Sequence, residues 1–290
     1  LIDNCIIENA SDGIYVQSSN PTITNTVFRY NTDGIYCDSG SEPTITGNTF
    51  NNNTRPVSIF ANRIDETIYG NVYSGNTKDY IEVQGSDMQD NRTWTWKSDG
   101  GPYVLVGDIR VYRNTGTYTY TERAILEIES GTIVMGDSPD RNIYIGAGPG
   151  QAGPGQDYDF DRYPGGLRAS GVTFTSLDPI GWGGIYFQNS TLNDSAYTLI
   201  DNCIIENASD GIYVQSASPA ITNSTFLNNV DGIESDNESY PIVESNQFLS
   251  NTNGMVQYTG IGEYTIGGAL EVGNIFLDNS NAGLIEYNGS

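Results

Sequence analysis

Histidine is absent from this chain, lysine occurs only at Lys78 and Lys97, and cysteine only at Cys5, Cys37 and Cys203. Without histidine there is no Ser-His-Asp or Cys-His relay and no imidazole ligand for a metal. Twelve basic residues stand against 36 acidic ones, a formal charge of −24, which repels nucleic acid and anionic lipid. No apolar run is long enough to cross a membrane as a helix, so no membrane insertion is expected. Nor does a 3.6-residue apolar stripe run through any long segment, which argues against helices altogether. An acidic chain of this kind suits an extracellular, cell-surface setting.

What is present is repetition. Leu1–Ser18, LIDNCIIENASDGIYVQS, recurs unchanged as Leu199–Ser216, an offset of 199 − 1 = 198 residues. An unbroken match of that length is not chance. It predicts a tandem array of which this chain holds about one and a half units. Residues 1–85 read as the closing part of one unit and 86–101 as a polar junction. Residues 102–290 read as a second unit, with opening coils over 102–198 and closing coils over 199–290 that duplicate 1–85.

A shorter period runs inside each unit. Ile2, Ile23, Ile45 and Ile68 are 21, 22 and 23 residues apart. Each is followed at the fifth place by Ile7, Phe28, Phe50 and Tyr73, and at the twelfth by Ile14, Ile35, Val57 and Tyr80. Glycine holds the eleventh place at Gly13, Gly34, Gly211, Gly232 and Gly254, and asparagine the eighth at Asn31, Asn53, Asn76, Asn229 and Asn251. Short alternating runs near a 22-residue period define a solenoid, here all-β, in which like residues stack into ladders. The glycines read as turns needing positive φ or as points of close backbone approach.

These coils resemble the right-handed parallel β-helix of the pectin-lyase-like superfamily, in particular the repeats of archaeal and bacterial cell-surface proteins. The segment Thr93–Phe187 strengthens the likeness with its Trp-containing entry, "GPYVLVGDIRV", "AILEIESGTIVMG", "GGLRASGVTFTS" and "GWGGIYF". The resemblance implies the fold and leaves enzymes, adhesins and scaffolds all open. Asn31-Thr32-Asp33-Gly34-Ile35 is similar to an element of the polygalacturonases of that fold. The same slot recurs as Ala10–Ile14 and Asn229–Ile233, so it reads as turn grammar and not as catalytic acid. A lyase would need a basic proton abstractor beside clustered acids, and spacing reveals no such cluster. The chain is therefore expected not to be an enzyme.

The loop 146–166 breaks the coil rhythm with a glycine-proline excursion ending in Asp157, Asp159 and Asp161. Alternating carboxylates are the hard oxygen ligands that Ca2+ prefers, although Arg162 and Arg168 stand where an EF-hand requires Gly and Glu. Tyr158, Phe160 and Tyr163 in the same loop read as an interface with another chain. The odd cysteine count allows intermolecular disulfides through Cys5, Cys37 or Cys203; small buried thiols are the simpler reading. The expected role is a structural repeat that assembles with itself, end to end or laterally, into a layer, sheath or filament. A glycan-binding adhesin is the alternative, and a polysaccharide lyase or hydrolase the third.

Overall fold

In the computed structural model, residues 1–113, 122–146, 164–189, 191–236, 239–259 and 273–288 are described. Among them the chain coils in parallel strands, and each coil pairs with the next at side-chain register. Eleven strands form a central sheet that runs without a break from Asp12–Val16 to Ile275–Leu277. Sheets of eight and six strands flank its second half, and two sheets of four strands flank its first half. This is one continuous parallel β-helix. Residues 86–101 contribute strands Ser86–Met88 and Arg92–Trp96 to those flanking sheets.

Stacking explains the pattern. The centre of the rod is filled by ladders such as Ile14, Ile35, Val57, Ile81 and Tyr103, each in register with the next. Ile81 takes the place that spacing gave to Tyr80, because the turn before it is longer in that coil. Aromatic rings stack along the axis, with Phe28–Phe50 centroids 4.9 Å apart and Phe226–Phe248 also 4.9 Å. Trp94, Trp96 and Trp182 are all buried within the rod.

The asparagine column is a ladder of amides. Asn31 donates from Nδ2 to Asn53 Oδ1 and to the carbonyl of Ile7, and Asn53 repeats this with Asn76 and Phe28. Asn229, Asn251 and Asn279 form the same column in the second copy. The eleventh-place glycines have ordinary negative φ, so close approach is the reading that holds and positive φ is not. A Cβ on Gly34 would lie 2.5 Å from the carbonyl of Pro56 and 2.8 Å from the Phe50 ring. Positive φ falls instead on turn residues such as Asn4, Asn25, Asn202 and Asn223.

The two identical stretches do not lie on the same face. Asp12–Val16 opens the central sheet, whereas its copy Asp210–Val214 lies in the eight-stranded sheet. The copy's preceding strand, Ile204–Glu206, is the one that enters the central sheet. The central ladder thus begins on Ile14 and later passes through Ile205, a different place of the repeat. One unit advances the rod by whole coils plus one face of three.

Candidate functional site

The outward row of the eight-stranded sheet brings together Arg110, Tyr144, Tyr186, Tyr213 and Glu234, each in register with the next. The guanidinium of Arg110 sits 4.5 Å over the Tyr144 ring. Tyr144 and Tyr186 centroids are 5.2 Å apart, and those of Tyr186 and Tyr213 are 5.3 Å apart. The rings are tilted by 45° and 44°, so the row forms a stepped aromatic platform. Its physical origin is the strand period of two, which sends Tyr186 outward while Ile185 and Phe187 fill the core.

Beside the platform lie three carboxylates. Asp210, Asp231 and Glu234 are half-buried and can each place an oxygen within 4.8 Å of the others. Tyr186 donates its hydroxyl to Asp210 at 3.2 Å, and Asn253 donates to Asp231 at 2.5 Å. Burial and the charges of Asp210 and Asp231 push Glu234 up to about 7. Asp210 is raised for the same reasons, burial first and Asp231 second. Tyr213 is pushed up to about 12 by burial and by the surrounding acids Asp236, Glu234 and Asp210. Such a group holds a shared proton, or presents three hard oxygens to a cation.

The first copy provides the internal control. There Asp33 is met by Arg55 through Nε at 2.5 Å and Nη2 at 2.6 Å. Arg55 also reaches Glu82 at 2.9 Å, and Lys78 reaches the other oxygen of Glu82 at 2.7 Å. The fold therefore does gather basic and acidic groups, which their spacing had not revealed. Each charge there is answered by another. Burial lowers Lys78, but its pairing with Glu82 outweighs this and the net shift is upward, which makes it a poor proton abstractor. Asp33 is buried under this pairing.

Asp157, Asp159, Asp161, Tyr158, Phe160 and Tyr163 lie outside the described residues. Cys37 and Cys203 are buried, with thiols pushed up to about 12 and about 11 by burial, so neither offers a reactive thiolate to a second chain. Cys5 is exposed, and all three are free. The platform and the acid triad were not picked out by motif. The signal lay in the comparison of the two copies, where Tyr36 becomes Glu234 and Arg55 becomes Asn253.

Two family models match the chain. Residues 164–290 match the right-handed beta helix region, and residues 1–107 match NosD, described as a periplasmic copper-binding protein. The chain is a right-handed parallel β-helix. No curated protein and no solved structure matches this β-helix.

Proposed function

We propose that this β-helix is a non-catalytic structural module of the cell envelope or extracellular surface, and that it assembles with copies of itself. The observation that supports this most is the duplication of the Asp-Gly slot. The slot aspartates stack in register, Asp12 with Asp33 and Asp210 with Asp231, and in the first copy Arg55 answers Asp33. A catalytic centre is a single constellation; a slot that recurs coil after coil preserves a shape and a surface. The location is supported by the acidic composition and by the periplasmic description of the NosD family.

The copper in that description does not fit the groups present. Copper takes imidazole and soft sulfur ligands grouped together, whereas this chain has no histidine and its Cys37, Cys203, Met88 and Met255 are buried. The more accessible sulfurs of Cys5 and Met135 lie several coils apart. Among the described residues the metal-capable cluster is made of carboxylates alone. Light scattering and electron microscopy on the purified chain test the reading, together with assays on acidic polysaccharides. Ordered assemblies without turnover are expected; a strictly monodisperse monomer, or measurable cleavage, overturns it.

A second reading is favoured by the Tyr144–Tyr186–Tyr213 platform, whose half-buried, outward rings beside carboxylates suit sugar rings. It predicts glycan-array binding that is lost in a Tyr186→Ala, Tyr213→Ala variant.

A further inference from the structure

The central sheet changes character along its length. In its first half the outward side carries the ion network of Asp33, Arg55 and Glu82. In its second half, because the repeat has moved by one face, different places of the repeat point outward there. One outward row runs through Ile133, Thr173, Ile204, Thr225, Gln247 and Ile275. The neighbouring row runs through Met135, Thr175, Glu206, Leu227, Leu249 and Leu277. Across both rows Glu206 is the single charged side chain, and Thr175 donates to it at 2.9 Å. Ile133, Ile204, Ile275 and Leu277 are exposed by 41%, 42%, 47% and 54%.

The first copy again supplies the comparison. The places taken by Leu227, Leu249 and Leu277 are held there by Arg29, Asn51 and Ser74, in register behind Glu8. Arg29 and Glu8 form an ion pair in that row. The second copy has thus exchanged three polar outward residues in a line for leucines. Their inward neighbours Phe28 and Phe50 are kept as Phe226 and Phe248. Core packing does not require the exchange, since the first copy keeps the same core behind polar residues.

We propose that this aliphatic face is a lateral docking surface for a second copy of the chain, a proposal that rests on the assembly reading above. Charge selects the partner. A basic partner would settle on the acidic faces, whereas a chain that also carries −24 can come close only where charge is nearly absent. A flat sheet face is self-complementary about a two-fold axis, residue i meeting residue j and j meeting i. Six strands at roughly 4.8 Å spacing give a face about 24 Å long. Its area, on the order of 250 Å² per chain, falls well below the roughly 800 Å² per partner of a stable dimer. The pair is therefore weak and reversible, and gains strength when several such faces act together.

Sedimentation velocity over a concentration series tests this on the whole chain, comparing it with a Leu227→Arg, Leu249→Asn, Leu277→Ser variant. These are the residues the first copy holds at the same places, so the variant is expected to fold, and circular dichroism with thermal melting checks that it does. The unaltered chain should associate more strongly as concentration and salt rise, since salt screens like charge. The variant should associate at least ~10-fold more weakly, the loss of about 1.4 kcal/mol. Equal association of both proteins overturns the assigned face and leaves the assembly reading standing on another surface. An unaltered chain that stays monomeric up to about 1 mM, where a contact worth roughly 4 kcal/mol would show, overturns both.

Discussion

Asn253 occupies in the second copy the place that Arg55 occupies in the first, each in register with the aspartate of an Asp-Gly slot. Arg55 neutralises Asp33 and Glu82, whose side chains are only 6% and 5% exposed. Asn253 gives Asp231 one hydrogen bond and no charge. Removing a cation from buried carboxylates costs more than the pair contributed, because the acids stay behind unanswered. Arg55→Ala is therefore expected to destabilise the rod by about 2–4 kcal/mol, read as a drop in melting temperature. Asn253→Arg should do the opposite, adding roughly 1 kcal/mol by answering the triad.

The same triad sets a pH dependence. A carboxyl raised by folding binds its proton more tightly in the folded chain than in the unfolded one. Its contribution is complete below the ordinary carboxylate range and is lost as pH rises through the folded value, about 7 for Glu234. Asp201 is shifted the other way, chiefly by the amide of Asn223, and its contribution is lost as pH falls below the ordinary range. Stability should therefore be highest near pH 5 and decline towards pH 8. The Glu234 part is worth roughly 1–3 kcal/mol, discounted for its partial exposure. Melting curves of Glu234→Gln should be flatter between pH 5 and 8; an unchanged slope would sink the assignment.

Fold and ladders were legible because stacking makes sequence period and spatial neighbour the same thing. Ile14 predicts Ile35 beneath it, and Asn31 predicts Asn53, without any knowledge of long-range topology. The face on which each copy lies was not legible. It depends on how many strands the coils between Tyr80 and Leu199 contain, and those coils vary in length. Residues 61–63 form a short 3-10 turn where the earlier coils have a loop, and Ser86–Met88 stacks above it. The acid triad escaped for a related reason. Asp210, Asp231 and Glu234 belong to adjacent coils, and their danger to one another lies in the loss of Arg55's counterpart, not in any motif. The aliphatic face likewise needs the register before Ile204 and Leu227 can be placed on the same face of one sheet.

The amide ladder predicts a large effect from a small change. Asn229 is buried, accepts from the backbone of Ala208 and donates to Ile205 O and Asn251 Oδ1. Asn229→Ala leaves these groups without partners and should cost about 2–4 kcal/mol. Asn229→Asp removes only the donor, and turns a carboxylate towards the carbonyl of Ile205 and the amide oxygen of Asn251. Its loss should shrink below pH 4, where the protonated acid can donate again. Denaturant titration of both variants at two pH values reads the difference; equal losses at both would mean the amide donor is not what the ladder uses.

The glycine column tests close approach against conformational freedom. Gly232 has an ordinary φ, so an alanine there meets no backbone penalty. Its Cβ would nevertheless lie 2.4 Å from the carbonyl of Gly254 and 2.8 Å from the Phe248 ring. Both neighbours are fixed, one by the strand ladder and the other by the stack of Phe226, Phe248 and Phe276. The coils must then separate locally, and Gly232→Ala should cost roughly 1–3 kcal/mol. Gly40 is the control. It also lacks positive φ, but a Cβ there meets the Ser18 hydroxyl at 3.1 Å, at the end of an exposed side chain that can turn away. Gly40→Ala should be neutral or slightly stabilising, since it reduces the freedom of the unfolded chain. If both alanines melted at the same temperature, the eleventh place would owe its glycine to something other than the packing of one coil on the next.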